Sequence, residues 1–301
     1  MKFSLKPIYP FNFDISAQIF SDGDEHIRKY HGGRFWQVLR SERKLLLTSI
    51  QSAGSMDQPA LTVDLKSNRP LLARDFQLSR DKVSLIFNLQ FDLKPFYVDI
   101  ENDIIMKRIT RRLYGLKNPT TPTIFESLID SLVEQQISLK VANTIEKRII
   151  KEFGGKLKIE DTLYYAYPKP EQLADADVGM LRKCGLSARK AEYVKDVSKL
   201  IMDGKLVLEG LRNQATDKII GELDSVRGIG VWTAEMTCVR GMGKLDVIPA
   251  DDLGLRRTIS HYYCNDRRIT SQEARRISDN WGKWKGLASY YLIIAERLGI
   301  E

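Results

Sequence analysis

Cysteine is scarce in this chain. Cys184, Cys238 and Cys264 lie far apart, and no CxxC occurs. That spacing builds neither a zinc site nor a four-cysteine iron–sulfur cluster. Scattered thiols in odd number suit a reducing compartment, and Cys238 reads as a small core residue. Histidine is scarce too: His26 and His31 have no partner at metal-ligand spacing and read as surface residues. No apolar run reaches the roughly 18 residues that cross a bilayer, and the opening residues show no signal-peptide pattern. These absences set the expectation of a chain with no membrane contact, cytoplasmic, or nuclear in a eukaryote. A basic tail is also missing. The net charge is +8, yet the surplus is spread along the chain, so a face for a polyanion has to come from folding.

What is present is ample for two cores: 301 residues, 43% hydrophobic and 29% charged. Residues 1–97 read mostly as strands, in FSLKPI, FWQVLRSERKLLLTSIQSAG, ALTVDL and VSLIFNLQFDL. FWQVL and KLLLTSIQS are expected to pair as a hairpin. One helix is expected near Ile15 to Phe20 or Asp22 to Lys29. The result is an α+β class, with an antiparallel sheet first and helices from about residue 98 on.

Residues 99–114 carry Ile104, Ile105, Ile109 and Leu113 on one helical face, leaving Lys107, Arg108, Arg111 and Arg112 as a solvated basic face. Thr123 fits an N-cap, with Glu126 completing a capping box. Phe125, Leu128, Ile129, Leu132 and Val133 make an apolar stripe, Gln135 to Ser138 interrupt it, and Val141 to Phe153 read as the next helix. Further on, Gly185 ends a helix and Ser187 caps another, with Arg189 and Lys190 expected in solvent. Near the end Trp281, Trp284, Leu287, Tyr291 and Ile294 fit a helical stripe.

The stretch from Ser225 to Arg256 organises the rest. Ile219, Ile220 and Leu223 sit at helical spacing; Gly228-Ile229-Gly230 then breaks the helix, and Trp232, Thr233, Met236 and Val239 start another. Two glycines around one apolar residue suit a sharp turn. The amides from Gly228 to Val231 would face outward at a helix start, where an anion such as phosphate binds. Asp252 follows Gly230 by twenty-two residues, inside IPADDLGLR.

RGIGVWTAEM followed by DVIPADDLGLRR resembles the HhH-GPD superfamily of DNA glycosylases, in its AlkA-like (DNA-3-methyladenine glycosylase II) branch. YPFNFDISAQIF, FESLIDSLVEQQISLKVANTI, GLSARKAEY and WGKWKGLASYYL are similar to other segments of that family. The resemblance implies a TATA-binding-protein-like sheet domain over 1–97 and an all-α helix-hairpin-helix glycosylase domain over 98–301. It implies Asp252 as the catalytic carboxylate, with Asp251 as the alternative. Trp232, Met236, Leu253 and Tyr291 (or Tyr290) are the implied base pocket, and Gln136 the wedge that fills the gap left by a flipped base.

The same resemblance implies double-stranded DNA with damaged bases as partner, a nucleoid-associated monomer, and no required cofactor. A sodium or potassium ion on the carbonyls of Asp224, Val226 and Ile229 is the one implied metal. Bifunctional relatives carry lysine where Trp232 stands, and its amine forms a Schiff base. Tryptophan there implies a monofunctional enzyme that excises alkylated (3-methyladenine-type) or deaminated purines in base excision repair and leaves an abasic site. The alternatives are an 8-oxoguanine glycosylase/lyase and a non-catalytic helix-hairpin-helix binding protein.

Overall fold

The computed structural model describes residues 2–41 and 44–301. The sheet is antiparallel, in the order β1 (Lys2–Leu5), β5 (Leu61–Lys66), β4 (Lys44–Ser52), β3 (Arg34–Ser41), β2 (Arg28–His31). The expected hairpin forms, with Ser41 opposite Lys44 and Arg34 opposite Gln51; its tip at 42–43 lies outside the described residues. Alternation decides the register. Phe35, Leu39, Ile50, Leu61, Val63 and Leu65 turn to one core. The helix α1 (Phe13–Phe20) covers it, capped by Asn12. The other expected position, Asp22 to Lys29, is turn and strand instead.

VSLIFNLQFDL is not a strand. Its start belongs to α2 (Ala73–Ile86), and Asp75 turns back to accept from the Leu72 amide at 2.7 Å. Val83 and Ile86 stand three apart, so a helix buries both against the sheet together with Phe87 and Leu89. A short apolar run of this length fits either period.

The helices that follow are α3 (Lys94–Asp99), α4 (Ile104–Arg112), α5 (Ile124–Glu134) and α6 (Leu139–Phe153). Leu93 and Phe96 already pack with the helical region, whereas Leu89 belongs to the sheet. On α4 the buried face is Met106, Ile109 and Leu113; Ile104, expected among them, is 83% exposed at the first turn. Arg108, Arg111 and Arg112 are exposed, as expected. Thr123 caps α5 through a 3.1 Å bond from the Glu126 amide. The reciprocal half of the capping box does not form, because the Glu126 side chain turns inward toward Arg28.

The second region is not all-α. β6 (Gly155–Ile159) and β7 (Thr162–Ala166) form a hairpin. Leu157 and Ala166 pack on Val38 and Leu47, and Arg40 donates to the Tyr167 carbonyl at 2.8 Å. The hairpin thus joins helices to sheet. Beyond it come α7 (Pro170–Ala174), α8 (Val178–Lys183), α9 (Ala188–Met202), α10 (Leu208–Leu211), α11 (Thr216–Asp224), α12 (Val231–Thr237), α13 (Leu253–Tyr263), α14 (Ser271–Ser278) and α15 (Lys285–Arg297). Two apolar cores hold them. One joins α5, α6, α9, α11 and α12. The other joins α4, α13 and α15, where Trp281, Trp284, Leu287, Tyr291 and Ile294 are buried as the stripe implied.

Where sheet, α5 and α6 meet, a cavity of about 40 Å³ is lined by Arg28, Gln37, Glu126, Asp130, Glu146 and Tyr167. Tyr167 donates to Asp130 at 2.7 Å, and Arg28 lies 3.6 Å from Glu126. One oxygen of Glu146 is buried without a partner. Burial pushes all three carboxyls up, Glu146 to about 9. A carboxyl raised in the folded state binds protons that the unfolded chain has released. Its stabilising contribution is complete below the ordinary carboxylate range and is lost as pH rises toward 9. The melting temperature should therefore fall between pH 6 and pH 9. Glu146→Gln should flatten that slope and raise the melting temperature at pH 9 by a few degrees, on the order of 1–2 kcal/mol. An unchanged slope in a thermal melt series would remove Glu146 from this role.

Candidate nucleic-acid interface and active site

The hairpin is anchored from below. Ile219 and Leu223 on α11, Ile229 in the turn and Ala234 on α12 are buried in the first helical core. Its two glycines do different work. Gly228 has φ +95°, and a Cβ there would lie 2.4 Å from Cγ of Tyr193. Both the backbone and the approach to the ring exclude a side chain. Gly230 has φ −100° and nothing within 4 Å of a Cβ. It is the N-cap of α12, and it supplies no side-chain acceptor. Asp103, Thr123, Ser138, Ser187 and Thr270 each close a helix start with a side-chain oxygen. Among the described residues no side chain accepts from the first amides of α12, at the positive end of the helix dipole. A π turn (Cys238–Met242) prolongs that helix. Of the expected strip Gly228 to Val231, the Ile229 amide is already taken, donating to the Val226 carbonyl at 3.0 Å from a buried residue, while Val231 at the start of α12 is 40% exposed.

Gln136 projects from the turn between α5 and α6, exposed and with φ +56°. A non-glycine residue in that region costs roughly 1–2 kcal/mol and is held there by its surroundings. Two residues do the holding. Gln135 donates from Nε2 to the Gly228 carbonyl (3.0 Å) and to Thr233 Oγ1 (2.9 Å), which ties the turn to the hairpin. Lys190 donates from Nζ to the carbonyls of Val133 (2.7 Å) and Gln135 (2.5 Å), closing the end of α5. Lys190 is therefore a structural cap rather than the solvated residue expected. Burial lowers its pKa, as suits an amine held among carbonyls. Arg189 is exposed, as expected, and bonds the Tyr193 hydroxyl while lying over that ring. Ser187 does cap α9. Ile137, Leu139 and Val141 are exposed around Gln136, an apolar rim that the sequence reading passed over.

Asp252 is the N-cap of α13. Its Oδ1 accepts from the Leu255 amide at 2.7 Å, and its own amide donates to the Pro249 carbonyl at 3.0 Å. Oδ2 takes no hydrogen bond among the described residues. The carboxylate is thus fixed through one oxygen and open through the other. Asp251 is more exposed and faces Arg275 at 3.5 Å. Of the two aspartates, Asp252 is the one that caps the helix.

The pocket candidates separate. Trp232 is half-buried and Met236 buried, one turn apart on α12. Leu253 is 73% exposed at the start of α13. Tyr291 is not at this surface: it is fully buried, donates to the Leu116 carbonyl at 2.6 Å and packs on Phe96. The helical stripe that made Tyr291 visible was a core stripe. Tyr290 beside it has a buried hydroxyl without a partner. Glu235, three residues past Trp232, escaped notice because a glutamate on a helix ordinarily faces solvent; here it is 2% exposed and bonded to Arg275 at 2.7 Å.

An uncapped helix start for phosphate, linked through Arg275 to a loop that ends in a half-free carboxylate, places the fold among helix-hairpin-helix proteins that act on DNA. The family described as HhH-GPD superfamily base excision DNA repair protein matches residues 129–283. The chain belongs to that superfamily. It is 31% identical over 206 residues to a DNA-3-methyladenine glycosylase of Bacillus subtilis (strain 168), covering 68% of each chain. A 3-methyladenine DNA glycosylase from Archaeoglobus fulgidus superposes with a TM-score of 0.87 at 24% identity, over 98% of both chains. The two-part fold is therefore shared along the whole length. A 3-methyladenine DNA glycosylase of Schizosaccharomyces pombe, in complex with abasic DNA, matches 69% of this chain and 99% of its own, with TM-score 0.59 and 25% identity. Among the described residues no helix is long and apolar enough to cross a membrane.

Proposed function

We propose that this protein is a monofunctional DNA N-glycosylase that flips alkylated purines out of double-stranded DNA and cleaves them from the sugar. The observation that carries the reading is the half-bound Asp252 carboxylate beyond the uncapped hairpin helix. Cleavage of an N-glycosidic bond develops positive charge at C1′ and O4′ of the sugar. A fixed carboxylate facing that charge lowers the barrier, and its free oxygen can orient the attacking water. Glycoside hydrolases need a second carboxyl group to protonate the leaving group. An alkylated purine is already cationic and leaves without one, so a single aspartate suffices. Trp232, half-buried on α12, would offer a π face to a cationic base, at roughly 0.5–2 kcal/mol. It offers no amine for a Schiff base, so the product is an intact strand with an abasic site. The printed names of the Bacillus and Archaeoglobus relatives support this substrate class.

Gln136 is the residue proposed to enter the stack, with the hairpin amides holding a phosphate beside the lesion. A sodium or potassium ion on the hairpin fits the carbonyls present. Those of Asp224 and Ile229 accept no hydrogen bond among the described residues, and that of Val226 accepts one, from the Ile229 amide at 3.0 Å. Such an ion would supply positive charge to a bound phosphate. The protein is proposed to work as a monomer, since one hairpin and one Asp252 complete the site.

Chromatography of the bases released from methylated, deaminated and oxidised duplexes tests the substrate class. Release of 3-methyladenine or 7-methylguanine is expected. Tight binding without release from any duplex would leave a helix-hairpin-helix binding protein.

A further inference from the structure

We infer that Arg275 is a positioning residue, which holds the Asp252 loop against the hairpin helix; the inference rests on the glycosylase reading above. The hairpin and the carboxylate are built on different cores. Along the loop, Val247 packs with the hairpin core, whereas Ile248 and Ala250 pack with the core of α13 and α15. Apolar packing therefore leaves the distance between phosphate seat and carboxylate to be set by something else.

The first half of the loop has its own ties. Thr216 Oγ1 donates to Asp246 at 2.9 Å, Lys244 Nζ donates to the Gln214 carbonyl at 2.8 Å, and the Gly286 amide donates to the Leu245 carbonyl at 2.7 Å. The second half, which carries Asp252, is tied by Arg275. From α14 its Nη1 donates to Glu235 Oε1 on α12 (2.7 Å) and to the Ile248 carbonyl (3.2 Å), while Nη2 faces Asp251 at 3.5 Å. One planar guanidinium thus joins the hairpin helix to both sides of Pro249-Ala250. Only arginine has the fork to do so.

Glu235 is the counterpart. It is buried three residues after Trp232 and one before Met236, and its Oε2 has no partner. Among the described residues, Arg275 is the only group that hydrogen-bonds its side chain. A buried carboxylate with one cationic partner is costly when that partner is removed, so the pair is fixed in place. Asp251 then serves the loop's position and leaves the sugar to Asp252.

The test compares wild type, Arg275→Ala, Arg275→Lys and the double variant Arg275→Ala with Glu235→Ala. Single-turnover base release, DNA affinity against salt, and melting temperature are measured on each. A misplacement of about 1 Å costs on the order of 10²-fold in rate. Arg275→Ala should therefore slow release by about 10- to 100-fold while affinity stays within about threefold, because the phosphate seat is untouched. Its melting temperature should fall, since Glu235 is orphaned. The double variant should regain most of that stability and none of the rate. Lysine, which reaches one acceptor at a time, should restore part of the rate. If rate returns with stability in the double variant, Arg275 is merely a stabilising contact and the inference fails. If affinity falls with the rate and the salt dependence flattens, Arg275 is a phosphate ligand and the inference fails. No release by wild type under any of these conditions sinks the glycosylase reading itself, and the inference with it.

Discussion

Asp252→Asn should lower single-turnover base release by roughly 10³-fold while leaving the fold and DNA binding intact. The substitution is nearly isosteric. Asparagine is as good an N-cap as aspartate, so the 2.7 Å bond from the Leu255 amide persists and the melting temperature should hold within about 1 kcal/mol of stability. What disappears is the negative charge proposed to face the sugar. Affinity should stay the same or rise, because a negative group near phosphates is lost. Rapid-quench base release beside an equilibrium binding titration separates the two effects. Asp251→Asn is the informative partner. It weakens one contact of Arg275 at 3.5 Å and should cost far less rate. A reversed order would move the chemistry to Asp251.

The second large effect is expected at Gly228. Alanine there meets the Tyr193 ring at 2.4 Å and must adopt φ +95°. The turn has to move, and the carbonyl that accepts from Gln135 moves with it. DNA affinity should fall on the order of 10- to 100-fold, with a shallower salt dependence as a phosphate contact is lost. Gly230→Ala is the contrast. Its backbone angle suits any residue and its Cβ meets nothing within 4 Å. Stability should stay within about 0.5 kcal/mol. Equal loss of stability in the two variants, read from thermal melts, would contradict the account of the turn.

These two glycines show what was legible in the sequence. GIG between two apolar periodicities located the turn, because helix spacing and a break are local properties. The difference between the glycines was not legible, since it depends on Tyr193, which lies 35 residues upstream on α9. Asp252 was singled out by the family resemblance, and its capping bond shows only in the structure, whereas Thr123 and Ser187 were legible by their capping pattern. Tyr291 was misplaced for the same kind of reason. A helical stripe reports which residues share a face and is silent on whether a core or a ligand lies opposite. VSLIFNLQFDL misled because a short run rich in β-branched residues has strand character, while the three-residue spacing of Val83 and Ile86 lets a helix bury both against the sheet. Lys190 and Arg275 were invisible as structural groups. A basic residue on a helix reads as solvated until the carbonyls and carboxylates it reaches are known, and those come from α5 and α12. Glu126 likewise looked like half of a capping box and instead entered a buried acidic group.

The central claim is that one carboxylate removes a cationic base and no amine cuts the strand. The measurement that tests it most directly is incubation of wild-type protein with end-labelled methylated duplex, with strand breaks counted before and after hot alkali. The account predicts free methylated purine in solution, an unbroken strand before alkali, and breaks at the modified purines after it. Breaks that appear before alkali, with a protein–DNA adduct trapped by borohydride, would show a Schiff base and contradict the account.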